Sequence, residues 1–407
     1  MSIVSPAEFP DSLLSQALSQ PLLLGLFLPI QSGGWSMSTL PRTTDWTFEY
    51  NARLTRKAED LGFDLVFGLA QWLGKDGHGG ATRYRRESLD SFMTIASLAS
   101  ITHRILLIST LHILYGGWHP LHLAKFGATL DHISGGRWGL NMVTGHSIDE
   151  AEMFGREGHF EHDLRYEMAS EFVELMQRLW SLDDNLTFDG NWYRTRNAFV
   201  SPKLRYGRPV LVNATSSPAG IEYAARHSDL IFITSSAGAQ IDAALAVLPD
   251  HTAQVRAAAH THGRQVRTLI NPTIVCRPTE KEARAYHDAI LSHADFGAVD
   301  GFTGRRSDAH AWKGHQREQR VLGGNIQIIG SPERVVDDLL RLKAAGIDGV
   351  QLTFFDFEPD LAYFGEAVLP LLEQAGLRVR VPSAVWRHGG KQGGFNQFIR
   401  DPVNGND

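Results

Sequence analysis

A single cysteine in 407 residues, Cys276, excludes an internal disulfide framework and any cysteine-rich metal centre, and it fits a reducing compartment. No apolar stretch reaches the roughly 18 to 20 residues that a membrane-spanning helix needs. The apolar run from Leu22 to Ile30 lacks a basic leader and passes directly into Gln31-Ser32-Gly33-Gly34, so it is expected to be a strand rather than an export signal. The expected location is the cytoplasm. Basic charge is not in excess: 39 Lys and Arg stand against 45 Asp and Glu, a net charge of −6, and this argues against nucleic acid as a partner. Eighteen histidines are present, but no HExxH or paired-carboxylate spacing accompanies them, so no metal is expected. There is no GxGxxG after a strand and no GxxxxGK[ST], which leaves a tightly held NAD or ATP without positive support. A Ser-His-Asp grouping cannot be assigned from spacing alone.

What is present is rhythm. Short apolar stretches alternate with amphipathic helical ones from about residue 22 to 375. Strands are expected over 22–29, 63–67, 104–110, 137–143, 209–213, 230–234, 268–276 and 349–355. Helices are expected over 45–61, 87–102, 121–133 and 165–182. Gly62 and Ser134-Gly135-Gly136 are helix stops. Residues 186–194 suggest a hairpin turning at Asp189-Gly190. About eight strand–helix repeats favour an α/β fold of the closed (β/α)8 TIM-barrel type over an open sheet. The expected organisation is one domain over residues 1–380 with an insertion at 281–326, followed by a tail at 381–407. Within the insertion, the polar stretch 301–324 is long enough to be a lid.

In such barrels chemistry sits at the carboxyl ends of the strands, here residues 29–35, 69–72, 110–118, 141–146, 213–217, 271–273 and 353–357. These loops carry aromatics and small polar groups, which suits a flat aromatic cofactor. Asn141-Met142-Val143-Thr144-Gly145 places an amide, a hydroxyl and a glycine where a ring edge could be met; a plain strand-end turn fits the same residues. Asn213-Ala214-Thr215-Ser216-Ser217-Pro218 enters a helix with free amides and hydroxyls, suited to a phosphate and equally to an ordinary serine cap. Arg165 and Tyr166 could reach that phosphate or form surface pairs. Of the histidines, His112, His119, His122 and His132 are spread over a strand, a loop and a helix.

Several of these stretches occur together in one known family. Phe27-Leu28-Pro29, Ser32-Gly33-Gly34, the run from Ala128 to Arg137, Asn141 to Gly145, His162 to Tyr166, Phe188-Asp189-Gly190, Ser216-Ser217 and Tyr363-Phe364-Gly365 appear in family order. Over residues 22–375 the chain resembles the bacterial luciferase-like flavin monooxygenases. Within them it is most similar to dimethylsulfone and alkanesulfonate monooxygenases and to the pyrimidine monooxygenase.

The resemblance implies a two-component enzyme that takes reduced FMN from an NAD(P)H:flavin reductase and uses O2 through a flavin (hydro)peroxide. It implies cofactor contacts from Pro29, Leu69, Asn141, Thr144, Gly145, Tyr166, Ala214, Ser216 and Ser217, with Asn141, Thr144 and His112 nearest the chemistry. Trp35, Gln71, Trp118, Asn271 and Phe355 are the expected substrate contacts. Alkanesulfonate enzymes carry an arginine where this chain has Asn271 and a tyrosine where it has Phe355. A small, largely neutral organosulfur substrate, sulfone-like and cleaved at C–S, is therefore favoured over a sulfonate. Ring opening or dehalogenation of a heteroaromatic such as a pyrimidine is the alternative. A deazaflavin-dependent dehydrogenase, or a barrel binding flavin without catalysis, lies further off. Relatives pair through barrel helices, which implies a homodimer or homotetramer.

Overall fold

The computed structural model describes residues 4–308 and 314–380; the 381–407 tail lies outside the described residues. In chain order the strands are β1 (Leu23–Phe27), β2 (Leu65–Phe67), β3 (Leu106–His112), β4 (Trp138–Val143), β5 (Leu186–Asp189), β6 (Arg194–Ala198), β7 (Val210–Ala214), β8 (Leu230–Ile233), β9 (Arg267–Ile270), β10 (Pro272–Cys276), β11 (Ile326–Gly330) and β12 (Gly349–Phe354). Parallel pairing runs β1-β2-β3-β4-β7-β8-β9-β12, and β12 returns to β1 with Leu24 opposite Val350. The result is a closed barrel of eight parallel staves with helices outside. Staves such as β1 and β3 are buried at every position, as expected where helices cover one face and packed side chains fill the other.

The helices begin and end where local chemistry dictates. Asp90 caps the helix Ser91–Leu98 by accepting from the Met93 amide at 2.7 Å. The helix Pro120–Ser134 opens with proline and closes on Gly135, whose φ of 71° a residue with a Cβ would resist. These outer helices pin the staves and so hold the loops at the barrel mouth.

Three expectations are corrected. The strand expected over 268–276 is broken at Asn271, because Pro272 has no N–H to continue the ladder. Below the break β9 pairs with β8 and β12; above it β10 pairs with β12 and takes β11 on its other edge. The 186–194 hairpin has its second strand at Arg194–Ala198, and its turn is wider than Asp189-Gly190. The Glu171 carboxylate gathers the amides of Asn191, Trp192 and Tyr193 at 2.8, 2.9 and 2.8 Å, which holds four residues in the loop. The insertion is more ordered than a long loop. A second helix, Phe296–Thr303, is capped by Asp295, whose carboxylate also accepts from Thr82, and a 3-10 turn spans Glu318–Leu322.

Candidate functional site

A cavity of about 500 Å³ opens at the carboxyl ends of the staves. Its floor is aromatic. Phe67 meets Phe27 and Phe232 edge-on, with ring centroids 5.1 and 5.2 Å apart, and Trp35 lies 3.8 Å from Phe27. Such a floor excludes water and offers a flat surface to a ring.

Above it the polar wall is unsatisfied. Asn141, near the end of β4, donates its Nδ2 to Thr110 Oγ1 at 3.1 Å and leaves Oδ1 without a partner. Asn213 donates to the Met142 carbonyl at 2.8 Å and likewise leaves Oδ1 free. Asn271 Oδ1 and Gln351 Oε1 bring to four the buried, unpaired amide oxygens lining the same cavity. A buried acceptor left unpaired costs about 1–3 kcal/mol, so four in one cavity fit a ligand that presents N–H donors along an edge. A reduced isoalloxazine ring does so.

The loop after β4 packs closely on Tyr115. Gly145 has φ of 82°, and a Cβ there would lie 2.5 Å from the Tyr115 ring. Tyr115 in turn accepts from the His146 and Ser147 amides at 3.0 and 2.9 Å. The buried Arg165 donates to the Gly145 carbonyl and pairs with Asp308. That pair ties the loop to the insertion rather than offering Arg165 to a phosphate.

After β7 the chain forms a small cradle. Ser217 caps the ten-residue helix Pro218–His227 by accepting from the Gly220 amide at 3.1 Å. Thr215 Oγ1 is buried and unpaired. A Cβ on Gly220 would fall 1.8 Å from that oxygen, 2.7 Å from the Tyr166 hydroxyl and 3.0 Å from Ser217 Oγ. Three hydroxyls thus converge on a space that only glycine leaves open, at the positive end of a helix, which is the chemistry of a phosphate site. The acceptors and this cradle fit FMN.

Between them lies a titratable cluster. His112 Nε2 is 3.8 Å from Glu150 Oε2, too long for a hydrogen bond, and its Nδ1 is unpaired. Glu150 is held by Arg305 at 3.2 Å. Burial, helped by His159 and Arg305, pushes the His112 pKa down to about 3, so the ring is neutral near pH 7. Burial likewise lowers His146 to about 4.

Of the residues singled out from sequence, Trp35, Leu69, Gln71, His112, Asn141, Thr144, Gly145, Tyr166, Ala214, Ser216, Ser217 and Asn271 line this one cavity. Three do not. Trp118 packs edge-on against Phe92 and Phe126, on two outer helices, at 6.4 and 6.2 Å. Phe355 is only 1% exposed, clasped by Arg42 at 4.6 Å and Tyr286 at 5.8 Å in a separate apolar cluster. Pro29 is buried behind Gly34, and its carbonyl faces Asn51. Arg85, His78, Glu150 and Gln351 also line the cavity and were not singled out, while Thr215 was named only as part of the 213–218 turn. The strand-end rule pointed to the loop carrying Thr215. Arg85 and His78 lie far along the loop after β2, and nothing in their spacing signals the cleft.

The sequence model of the family described as luciferase-like monooxygenase matches residues 23–349. The chain is 31% identical over 380 residues to an FMNH(2)-dependent dimethylsulfone monooxygenase of Pseudomonas putida, covering 90% of this chain and 100% of that protein. It is 30% identical to the pyrimidine monooxygenase RutA of Allorhizobium ampelinum, covering 86% and 95%. Among solved structures, a riboflavin lyase (RcaE) superposes with a TM-score of 0.77 at 24% identity, covering 92% of this chain and 97% of that one; this likeness concerns the fold.

Proposed function

The chain belongs to the luciferase-like monooxygenases, and from that premise we propose a two-component enzyme that receives reduced FMN from a separate NAD(P)H:flavin reductase. With O2 it oxidises a small, sulfone-like organosulfur compound and cleaves a C–S bond. The observation that carries this reading is the pairing of four unpaired buried acceptors with a three-hydroxyl cradle around one aromatic-floored cavity. The substrate class rests on the dimethylsulfone monooxygenases of P. putida and Pseudomonas fluorescens, at 31% and 32% identity.

When bound, reduced FMN supplies the electrons that activate O2. The chain's own residues position and shield. Asn141, held by Thr110, orients the ring edge; Tyr166, Thr215, Ser216 and Ser217 take the phosphate; Phe27, Phe67 and Phe232 keep the floor dry. Neutral His112 leaves its Nδ1 free to hydrogen-bond a ligand in the cavity. Residues 305–308 are stitched to the β4 side by Arg305 to Glu150, Arg306 to Asp149 and Arg165 to Asp308, which supports a lid role for the described parts of 301–324. Exposed Met93, Phe126 and Ile133 on the outer helices support self-association as a homodimer or homotetramer, and the cytoplasm is where the reductase and NAD(P)H would be met.

The test is turnover of dimethyl sulfone with a generic flavin reductase, NADH and ¹⁸O2, read by product mass. One labelled oxygen in a C–S cleavage product is expected. Oxidation of uracil with no sulfone turnover would overturn the substrate assignment.

A further inference from the structure

Among the described residues, the other buried arginines have their donors engaged by carboxylates or by backbone carbonyls. Arg208 pairs with Asp229 at 2.6 Å and Arg378 with Asp64 at 2.6 Å, while Arg137 spends its donors on four backbone carbonyls and the Thr102 hydroxyl. Arg85 differs. It is 5% exposed and lines the cavity, yet among the described residues no carboxylate pairs with it. Its one side-chain hydrogen bond is a long 3.4 Å contact to Gln71 Oε1, and its Nε is unpaired. The Gln71 Nε2 donor is buried and unpaired as well.

The guanidinium is nevertheless firmly placed. It lies over Trp35 at 4.6 Å and Tyr84 at 4.9 Å, and Trp35 is itself fixed by donating Nε1 to the Phe27 carbonyl at 3.1 Å. The Arg85 backbone has φ of 60°, a left-handed conformation that costs free energy in a non-glycine residue, held by its N–H donating to the Ser32 carbonyl at 3.0 Å. A strained backbone thus presents to the cavity a stacked cation with no carboxylate partner among the described residues. A buried cation of this kind calls for an anionic or strongly accepting partner. The flavin phosphate is not that partner, because the cradle follows β7, the fifth stave, and Arg85 follows β2, the second of eight.

We propose that Arg85 and Gln71 form the site for the substrate's sulfonyl oxygens, with Arg85 compensating the negative charge that grows there as the C–S bond breaks. This rests on the sulfone chemistry above. One atom of O2 enters the carbon next to sulfur as a hydroxyl; the other leaves as water, with the two electrons of reduced FMN. The resulting α-hydroxy sulfone loses its hydroxyl proton to water, the C–O bond becomes a carbonyl, and the C–S electron pair stays on sulfur. An aldehyde and a sulfinate anion result. Dimethyl sulfone is neutral and its product is not, so an uncompensated cation favours the late, charged state over the ground state. Recognition by Arg85 also gives sulfonyl oxygens a cation in a pocket where the seventh stave ends at Asn271, a neutral amide.

The experiment uses the full chain with excess reduced FMN under anaerobic conditions, so that the cradle is filled. Calorimetric titration with methanesulfinate and with dimethyl sulfone is compared for wild type, Arg85→Met and Arg85→Lys. Methanesulfinate is expected to bind wild type more tightly than the sulfone. Arg85→Met should weaken methanesulfinate by about 10- to 150-fold, the range for a charge-assisted hydrogen bond, and weaken the sulfone less. Arg85→Lys should recover part of the loss, and affinity for reduced FMN should stay within about twofold across the three proteins as a check on folding. Absence of methanesulfinate binding to wild type, or equal losses for both ligands, would overturn the proposal; so would a loss confined to reduced FMN, which would assign Arg85 to the flavin ring. If no sulfone is turned over but methanesulfinate binds through Arg85, the oxyanion site stands and the reaction assigned above fails.

Discussion

Gly220 offers a perturbation whose two consequences have opposite signs. In Gly220→Ala the new methyl would lie 1.8 Å from Thr215 Oγ1 and 2.7 Å from the Tyr166 hydroxyl. Both are side-chain ends, so the protein can accommodate the methyl by turning them away, and the cradle then loses at least one donor to the phosphate. A hydrogen bond to a charged group contributes about 1.5–3 kcal/mol, so affinity for reduced FMN should fall about 10- to 150-fold. Gly220 is the third residue of a helix, where replacing glycine with alanine stabilises by about 0.5–1 kcal/mol, so Tm should hold or rise. Anaerobic fluorescence titration with reduced FMN and with reduced riboflavin separates the phosphate from the ring. Reduced riboflavin should bind both proteins alike. Equal weakening of the two ligands, or no weakening of FMN, would refute the placement of the phosphate.

Asn141→Ala removes a ring-edge acceptor and should weaken reduced FMN and reduced riboflavin together, by about tenfold on the scale of one hydrogen bond, in the same titration. Asp229→Asn leaves the buried Arg208 with a broken pair and should cost about 3–5 kcal/mol in denaturant unfolding; a change under 1 kcal/mol would contradict the buried-pair argument. Burial holds both His112 and His227 at about 3, against about 6.5 in an unfolded chain. Their contribution to stability is complete above pH 6.5 and is lost as pH falls toward 3, by up to about 1.4 kcal/mol per pH unit each. Tm should therefore drop between pH 6.5 and 4, and His227→Gln should make that slope shallower; an unchanged slope would exclude His227 as a source. Limited proteolysis should show reduced FMN protecting residues 301–308, whereas cleavage that ignores the flavin would remove the lid role.

The barrel was legible because each stave is a short apolar run bounded by turn residues, and the strand-end rule then led to Asn141, Thr144 and the Ser216-Ser217 turn without any contact information. What stayed hidden depends on distant packing. Nothing local shows that Trp118 turns outward between Phe92 and Phe126, or that Phe355 is clasped by Arg42 and Tyr286. The break at Pro272 could have been foreseen from its missing N–H, yet the apolar run around it masked the signal. The hairpin turn is widened by Glu171, 19 residues before Gly190 in a preceding helix, a partner that periodicity does not reveal. Arg85 is the instructive case. Its proposed role depends on its having no carboxylate partner among the described residues, and only the folded chain exhibits that.

The central claim is that reduced FMN lies across this barrel mouth with its ring edge at Asn141 and its phosphate between Tyr166, Thr215 and Ser217. A crystal structure of the anaerobic complex tests it most directly. The account predicts phosphate oxygens within hydrogen-bond reach of Thr215 Oγ1 and the Ser217 end of the helix, and an N–H of the ring on Asn141 Oδ1. A phosphate seated beside Arg85, or a ring outside the aromatic floor of Phe27, Phe67 and Phe232, would contradict it.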